Sequence, residues 1–379
     1  MRIGVNALQM KSAAGHSKAG LSRYAWCLID ALVALRPKHE FTIFVNQQFE
    51  VPPEWQDVQG FRFEKTRGKI GRMPHIWGTA MASLLSRRFD AWLSLAHTLP
   101  LRTKTPRVLV VHDLFALTNP ELYVTRRAKI TANSLRRSIQ VADRLVAVSE
   151  STKLELGEHL KVSPEEVTVT HLGPGNDVER RDPKTVGREE LGRIGVPWPR
   201  FLFMLSTIEP RKNVPRLLEA FAKVACEDRF SDLGLAIGGG KGWESSEVFQ
   251  MPAKLGIQDR VKFLGYVADD DLPALFARCE AFVLPSLSEG FGITVLEAML
   301  CGAPVVCSGT GSLPEVGGGV ALYFDPTDVN DMAQTIIRRL DDTEPRENII
   351  QKGLRQAAQF DWKKTAERTM QAVEEAARS

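Results

Sequence analysis

Short apolar runs recur through the first half of the chain, at residues 2–6 and then at FTIFVN (41–46), AWLSL (91–95), RVLVVH (107–112) and RLVAVS (144–149). Helical patterns fall between most of them, the first an amphipathic stretch over residues 21–35 that follows a loop containing Gly15 and Gly20. Strands alternating with helices predict a parallel sheet covered on both faces. A second alternation opens with FLFMLS (201–206), a helix at 213–226, LGLAIGG (233–239) and VKFLGYV (261–267). It continues with a helix at 270–279, AFVLPS (281–286), a helix at 293–301 and PVVCS (304–308). Both halves read as doubly wound α/β sheets.

The stretch joining them, GPGNDVERRDPKTVGREELGRIGVPWPR (173–200), is charged and rich in Gly and Pro, which is the composition of a link. The expected division is an N-terminal domain over 1–178, a linker over 179–199 and a C-terminal domain over 200–361. A last helix from residue 362 could, from its pattern, pack on either domain. A chain of 379 residues is long for a single core, in keeping with two. Tandem Rossmann-like sheets direct the loops after their strands towards a shared cleft, so function is sought in those loops.

Composition, at 44% hydrophobic and 25% charged, is that of a globular protein. MRIGVNALQM does not read as a secretory signal, and no run approaches the roughly 20 apolar residues that span a bilayer. Cys27, Cys226, Cys279, Cys301 and Cys307 show neither CxxC nor zinc spacing and sit in apolar segments, so buried reduced thiols and a cytoplasmic location are expected. The formal charge of +3 conceals an asymmetry: residues 1–175 hold 24 Lys and Arg against 15 Asp and Glu, and residues 176–379 hold 25 against 31. A basic half can face nucleic acid, anionic lipid or phosphorylated substrates, or can be an ordinary solvated surface.

Four loops could carry chemistry. GHSKAGLSRY (15–24) brings glycine to a helix start, where free N–H groups favour anions, although taken alone it reads as an ordinary turn. His112, leaving a buried strand ahead of Asp113, can bond a substrate hydroxyl, move a proton, or be structural. In STIEPRKN (206–213), Arg211 and Lys212 precede a helix and pair a forked donor with a mobile point charge, a combination suited to phosphate. The fourth is SEGFGITVLEAM (288–299), with Glu289 and Glu297 eight positions apart. Were it helical throughout, the two carboxylates would lie roughly 12 Å apart along the axis, too far for acid–base work on one bond. That spacing suits hydroxyls at two places on an extended ligand, with Gly290 and Gly292 admitting close backbone approach and the helix start offering N–H groups to an anion. Sugar at both ends and phosphate in the middle describes a nucleotide sugar. GGGKG (238–242) lacks P-loop spacing, and Asp269, Asp270 and Asp271 read as caps for the helix LPALFARC rather than as a metal cluster.

Taken together, EGFG with Glu297, FVLPS, EAMLCGAPVVCSGTGSLPEV, EPRKN, VHDL, GLSRY, FLGYVADDDLPALF and FDWKKTAE resemble the retaining GT-B glycosyltransferases with the Glu-x7-Glu motif, family 4, group 1. The match follows the family's order over nearly the whole chain. It implies two Rossmann-like domains facing a cleft, a last helix (362–379) crossing back to the first, and a donor bound by the second. Carried onto this sequence, Arg211 and Lys212 hold the diphosphate and stabilise the leaving group, and Glu297 binds the ribose. Glu289 meets the donor sugar with the backbone of Gly290, Phe291 and Gly292. His112 contacts the sugar near the reacting centre, Gly20 admits phosphate or acceptor, and Gly265, Tyr266 and Val267 frame the base. Two positions depart from the family pattern: Ala19 stands where the first glycine of a pair is usual, and Ile293-Thr294 replaces an apolar-Pro, which brings the Thr294 hydroxyl towards the ligand.

The resemblance further implies transfer with retention, with no metal and no cofactor beyond the nucleotide-sugar co-substrate, in polysaccharide or glycolipid assembly. GDP-mannose is the expected donor and a carbohydrate or lipid-linked molecule the acceptor, with no nucleic-acid partner. The basic region 126–144 and the loop 65–72 are expected to meet anionic membrane peripherally. The alternatives are a UDP-sugar-dependent glucosyl- or N-acetylglucosaminyltransferase and a non-catalytic nucleotide-sugar or nucleic-acid binder.

Overall fold

A computed structural model describes residues 1–10, 20–66, 77–120, 126–175, 179–242 and 247–378. The chain forms two compact units, Met1–Gly173 together with Phe360–Ser379, and Pro174–Gln359.

The first unit is built on seven strands: β1 (Arg2–Asn6), β2 (Glu40–Val45), β3 (Phe61–Lys65), β4 (Ala91–Ser94), β5 (Arg107–Val111), β6 (Arg144–Ala147) and β7 (Val167–Val169). All pair in parallel, in the order β3-β2-β1-β4-β5-β6-β7. Ile3 of β1 lies opposite Phe41 on one side and Ala91 on the other, so β1 is central and its Ile3 and Val5 are buried. The strand order reverses between β1 and β4, which makes their carboxyl ends the switch point of the sheet. The last helix, Trp362–Arg378, lies against the helix Leu21–Leu35 and strands β4 to β7. Its apolar positions Ala366, Met370 and Val373 recur at helical spacing and are all buried there.

The second unit repeats the plan with six parallel strands: β8 (Arg200–Leu205), β9 (Leu233–Gly238), β10 (Val261–Gly265), β11 (Ala281–Leu284), β12 (Val305–Ser308) and β13 (Leu322–Phe324). Their order, β10-β9-β8-β11-β12-β13, reverses between β8 and β11. The helices Val214–Ala225 and Val329–Leu340 share one core, in which Leu217, Phe221 and Ile336 are fully buried. Both units are Rossmann-like.

Three strands escape the hydrophobic pattern, for two reasons. β3 is an edge strand of sequence FRFEK, half polar, and β7 and β13 have three residues each, too few for a period to register. The stretch 179–199, expected as a linker, is ordered within the second unit and carries the helix Arg188–Ile194. Leu191 and Val196 are buried, and Gly195, left-handed at φ 101°, stops the helix with its N–H on the Leu191 carbonyl. Link-like composition here reflects a charged helix anchored by few apolar residues. Asp271 makes no side-chain cap on the helix Leu272–Arg278 and pairs with Arg193 at 2.5 Å instead. Of the five cysteines, Cys226 is exposed, because it follows the last turn of the helix Val214–Ala225. Burial pushes the Cys279 and Cys301 thiols up to about 12, which leaves them inert.

Candidate functional site

In the second unit, the loops that follow β8 and β11, the two strands flanking the switch point, carry the charged candidates. The loop after β8 turns into a short 3-10 helix, Pro210–Lys212, and Asn213, in the left-handed region at φ 56°, redirects the chain into the helix Val214–Ala225. Asn213 is buried, and its amide donates to the carbonyls of Pro285 and Pro326, which fastens this loop to those after β11 and β13. The glycine run beginning at Gly238 supports the other side. A Cβ on Gly239 would sit 1.7 Å from the Ser206 carbonyl oxygen, so glycine alone lets the two loops run together.

Glu289 is the centre of the cluster. Its carboxylate receives Lys212 Nζ at 2.5 Å, Arg211 Nη1 at 3.2 Å and the Ser286 hydroxyl at 2.6 Å. Arg211 also donates from Nε to Glu209 at 3.2 Å and from Nη1 to the Ser288 carbonyl at 3.3 Å. The side chains of Arg211 and Lys212 are only 16% and 14% exposed, so the cluster is largely removed from water. Burial opposes the charge on Glu289, but Lys212 and Arg211 outweigh it and hold the carboxyl down at about 2. Glu209 goes the other way: burial raises it above its ordinary value, and Arg211 and Lys212 offset that only in part. Two cations thus balance two carboxylates in a partly dry setting, and neither Glu209 nor Ser286 stands out in the sequence as a site residue. EPRKN quotes the first and FVLPS the second, yet their convergence on Arg211 and Glu289 depends on two loops meeting.

The stretch 288–299 is not helical throughout. Gly292 is left-handed at φ 92°, the helix starts at Ile293, and Glu289 stays in the loop, so the separation calculated for a continuous helix does not apply. A Cβ on Gly292 would fall 2.5 Å from Leu313 Cδ2, so the residue is chosen by backbone angle and by space together. Ser312 donates to the Glu289 carbonyl at 2.9 Å and fixes the loop from the β12 side. Gly290 and Phe291 are buried, Ile293 and Thr294 half-buried. Glu297 lies within the helix and is fully buried.

In the first unit, His112 follows β5. Its Nε2 donates to the Leu95 carbonyl at 3.1 Å, and the same carbonyl accepts Gln9 Nε2 at 2.9 Å. Its ring meets Tyr24 edge-on at 4.5 Å, and Tyr24 in turn meets Trp362 of the last helix at 5.7 Å. Enclosure, helped by nearby His97, pushes the imidazole down to about 4, so it is neutral near pH 7. With Nε2 carrying the proton, Nδ1 keeps the lone pair, and the ring can accept a hydroxyl or a proton there.

The remaining candidates are not gathered by either cluster. Gly20, at φ 55° ahead of Leu21, has open space where a Cβ would stand, and the rest of its loop lies outside the described residues. Gly265 ends β10 and its carbonyl receives Gly239 N–H at 2.6 Å; Tyr266 is 56% exposed, whereas Val267 is buried. A hollow of about 1130 Å³ lies at the amino ends of β1 to β3, lined by Arg2, His39 and Arg62 among others, and contains none of the candidates. Among the described residues, no three His, Cys, Asp or Glu side chains are grouped to hold a metal ion, and no helix is long and apolar enough to cross a membrane.

Comparison with known proteins agrees with this architecture. The model for glycosyl transferases group 1 matches residues 196–356, and that for glycosyltransferase family 4 matches residues 19–174. The O-antigen chain mannosyltransferase B of Escherichia coli is 31% identical over 93% of this chain and 95% of its own length. The serotype-specific mannosyltransferase WbdA of Escherichia coli is 31% identical over 68% of this chain, a match that spans 32% of that longer protein. Among solved structures, WaaG, a glycosyltransferase involved in lipopolysaccharide biosynthesis, superposes with a TM-score of 0.73 at 18% identity over 98% of this chain and 99% of its own. Anabaena HepE, solved with UDP and glucose, gives 0.70 at 20% identity over 99% and 100%.

Proposed function

The chain belongs to the group 1 glycosyltransferases of family 4, and on that footing we propose that it moves mannose from GDP-mannose onto a sugar or lipid-linked acceptor in polysaccharide assembly, with retention of anomeric configuration. The observation that carries this reading is the cluster at the β8–β11 switch point, where Arg211 and Lys212 are held together in a largely dry loop. A forked guanidinium and a point charge so placed would receive the diphosphate and stabilise it as it departs, in place of a metal ion. Glu289 would orient the donor sugar from beside the phosphates, and Glu297 the ribose. His112, neutral and with Nδ1 as acceptor, would take a sugar hydroxyl.

In this mechanism the acceptor oxygen forms its bond to the anomeric carbon as the bond to the diphosphate breaks on the same face. The departing phosphate oxygen takes the acceptor's proton. The protein contributes orientation and electrostatic stabilisation rather than a covalent nucleophile. The mannosyl donor is favoured by likeness to two Escherichia coli mannosyltransferases.

Peripheral contact with anionic membrane belongs to the same reading. Lys129, Arg136 and Arg137 are exposed on the helix Arg126–Val141, with Ile130 46% exposed beside them; of the loop 65–72, residues 67–72 lie outside the described residues. Sedimentation with anionic liposomes at low salt tests it, and absence of binding removes it.

The main test is a thermal-shift panel of GDP, UDP, ADP and their sugars, followed by release of nucleoside diphosphate in the presence of acceptor sugars. GDP and GDP-mannose should raise the melting temperature most, and Arg211→Ala should slow release by about a hundredfold or more. A larger shift with the uridine nucleotides would replace the donor, and no turnover with any of them would leave a binder rather than an enzyme.

A further inference from the structure

On the reading that this cluster binds the diphosphate of a nucleotide sugar, we propose that Glu209 is the counter-ion that gives way to it, taking a proton from solvent as the donor binds. Arg211 and Lys212 are balanced by Glu209 and Glu289. The diphosphate of a nucleotide sugar adds two negative charges to a region where the Glu209 and Glu289 side chains are 8% and 10% exposed. An uncompensated buried charge costs far more than neutralising a carboxylate, so the cluster relieves the excess by protonation.

Which carboxylate yields is decided by its partners. Glu289 is gripped by Lys212, Arg211 and the Ser286 hydroxyl, while Glu209 takes one hydrogen bond from Arg211 Nε. The described charged groups acting on Glu209 are Arg211 and Lys212 from its own loop and Glu289 from the loop after β11. Both cations are the groups a phosphate would engage, so its arrival removes their support from Glu209 and adds repulsion. Glu209 also starts above its ordinary value, raised by burial, whereas Glu289 is held well below its own. In the proton balance, a solvent proton moves to a Glu209 carboxyl oxygen on binding and returns to solvent when the nucleotide leaves. Because the bound state holds the extra proton, affinity rises as pH falls.

Calorimetric titration with GDP-mannose, in buffers of differing ionisation enthalpy, counts the protons directly, with UDP-glucose as a second probe. Neither diphosphate has a group of its own titrating near neutrality. The wild type should take up at most about one proton per donor, with affinity weakening as pH rises by no more than about tenfold per pH unit. Glu209→Gln should bind without proton uptake, with affinity flat in pH and tighter than wild type at the alkaline end. Donor binding with no proton uptake by the wild type overturns the proposal, a measurement that depends on no variant folding. Uptake that persists in Glu209→Gln also overturns it, since the proton then sits elsewhere. If neither nucleotide sugar binds the wild type, the reading of the diphosphate site fails first and this inference falls with it.

Discussion

The two units share one strand plan, yet their candidate residues work by opposite electrostatics. In the second unit, Glu289 and Glu209 stay in a largely dry loop because Arg211 and Lys212 sit on them. In the first, His112 sits against Tyr24, which meets Trp362, and is kept neutral by enclosure. Loops at strand carboxyl ends thus hold a charge-balanced network after β8 and β11 in one sheet and an uncharged hydrogen-bonding group after β5 in the other. A network of paired charges is costly to break from one side, since the partner is left buried and alone. A neutral ring supported by aromatic packing can be altered with less damage.

The comparison is tested most severely by Arg211→Ala. It should slow transfer by about a hundredfold or more, and destabilise the fold by about 3–5 kcal/mol, because Glu289 and Glu209 lose their shared cation. Initial rates with GDP-mannose and a denaturant melt read the two effects. A variant that transfers at the wild-type rate would show that the charged cluster is not donor machinery.

Acid should act on the two regions in separate windows. Glu289 titrates at about 2 in the folded protein, below its unfolded value, so its stabilisation is complete above the ordinary carboxylate range. That stabilisation, on the order of 3 kcal/mol, is lost as the pH falls towards 2. His112 is also depressed, to about 4, so the unfolded chain takes its proton first and stability declines as pH falls from about 6.5 towards 4. Stability measured across both windows should show the upper decline, on the order of 3 kcal/mol, disappear in His112→Asn while the lower one stays. The same variant should lower kcat/KM by about tenfold and leave nucleoside diphosphate affinity unchanged, the mark of a contact to sugar alone. Loss of nucleotide affinity in His112→Asn would erase the proposed division of labour.

The smallest expected effect is at the hinge of the charged loop. Gly292→Ala meets a left-handed backbone and the Leu313 side chain, and should cost about 1–3 kcal/mol in a thermal or urea melt, lowering donor affinity through displacement of Glu289. If the melt is unchanged, the loop is less tightly specified than its contacts indicate.

Most strands with a continuous apolar run were legible. FLFMLS, AFVLPS and RVLVVH lie within one or two residues of β8, β11 and β5, because burial on both faces demands apolar residues at every position. The helix Arg188–Ile194 was not, since one buried leucine in a charged segment gives no periodic signal. At the site, Arg211, Lys212 and Glu289 could be chosen from residue type and loop position. Glu209 could not, because a glutamate beside an arginine in sequence reads as a surface pair until its burial is known.

By itself, the order of apolar runs and loops determined that this protein is a tandem of parallel α/β sheets with its chemistry in the loops after strands. Periodicity and residue type are local, and they survive any arrangement of the rest. Tertiary structure decided that Gly292 ends the continuity of SEGFGITVLEAM, so that Glu289 falls in the loop and meets Lys212, 77 positions earlier in the chain. It also decided which unit holds the last helix and which carboxylate is left the weaker partner. Those outcomes follow from long-range packing and desolvation, which depend on what is adjacent in space rather than in sequence.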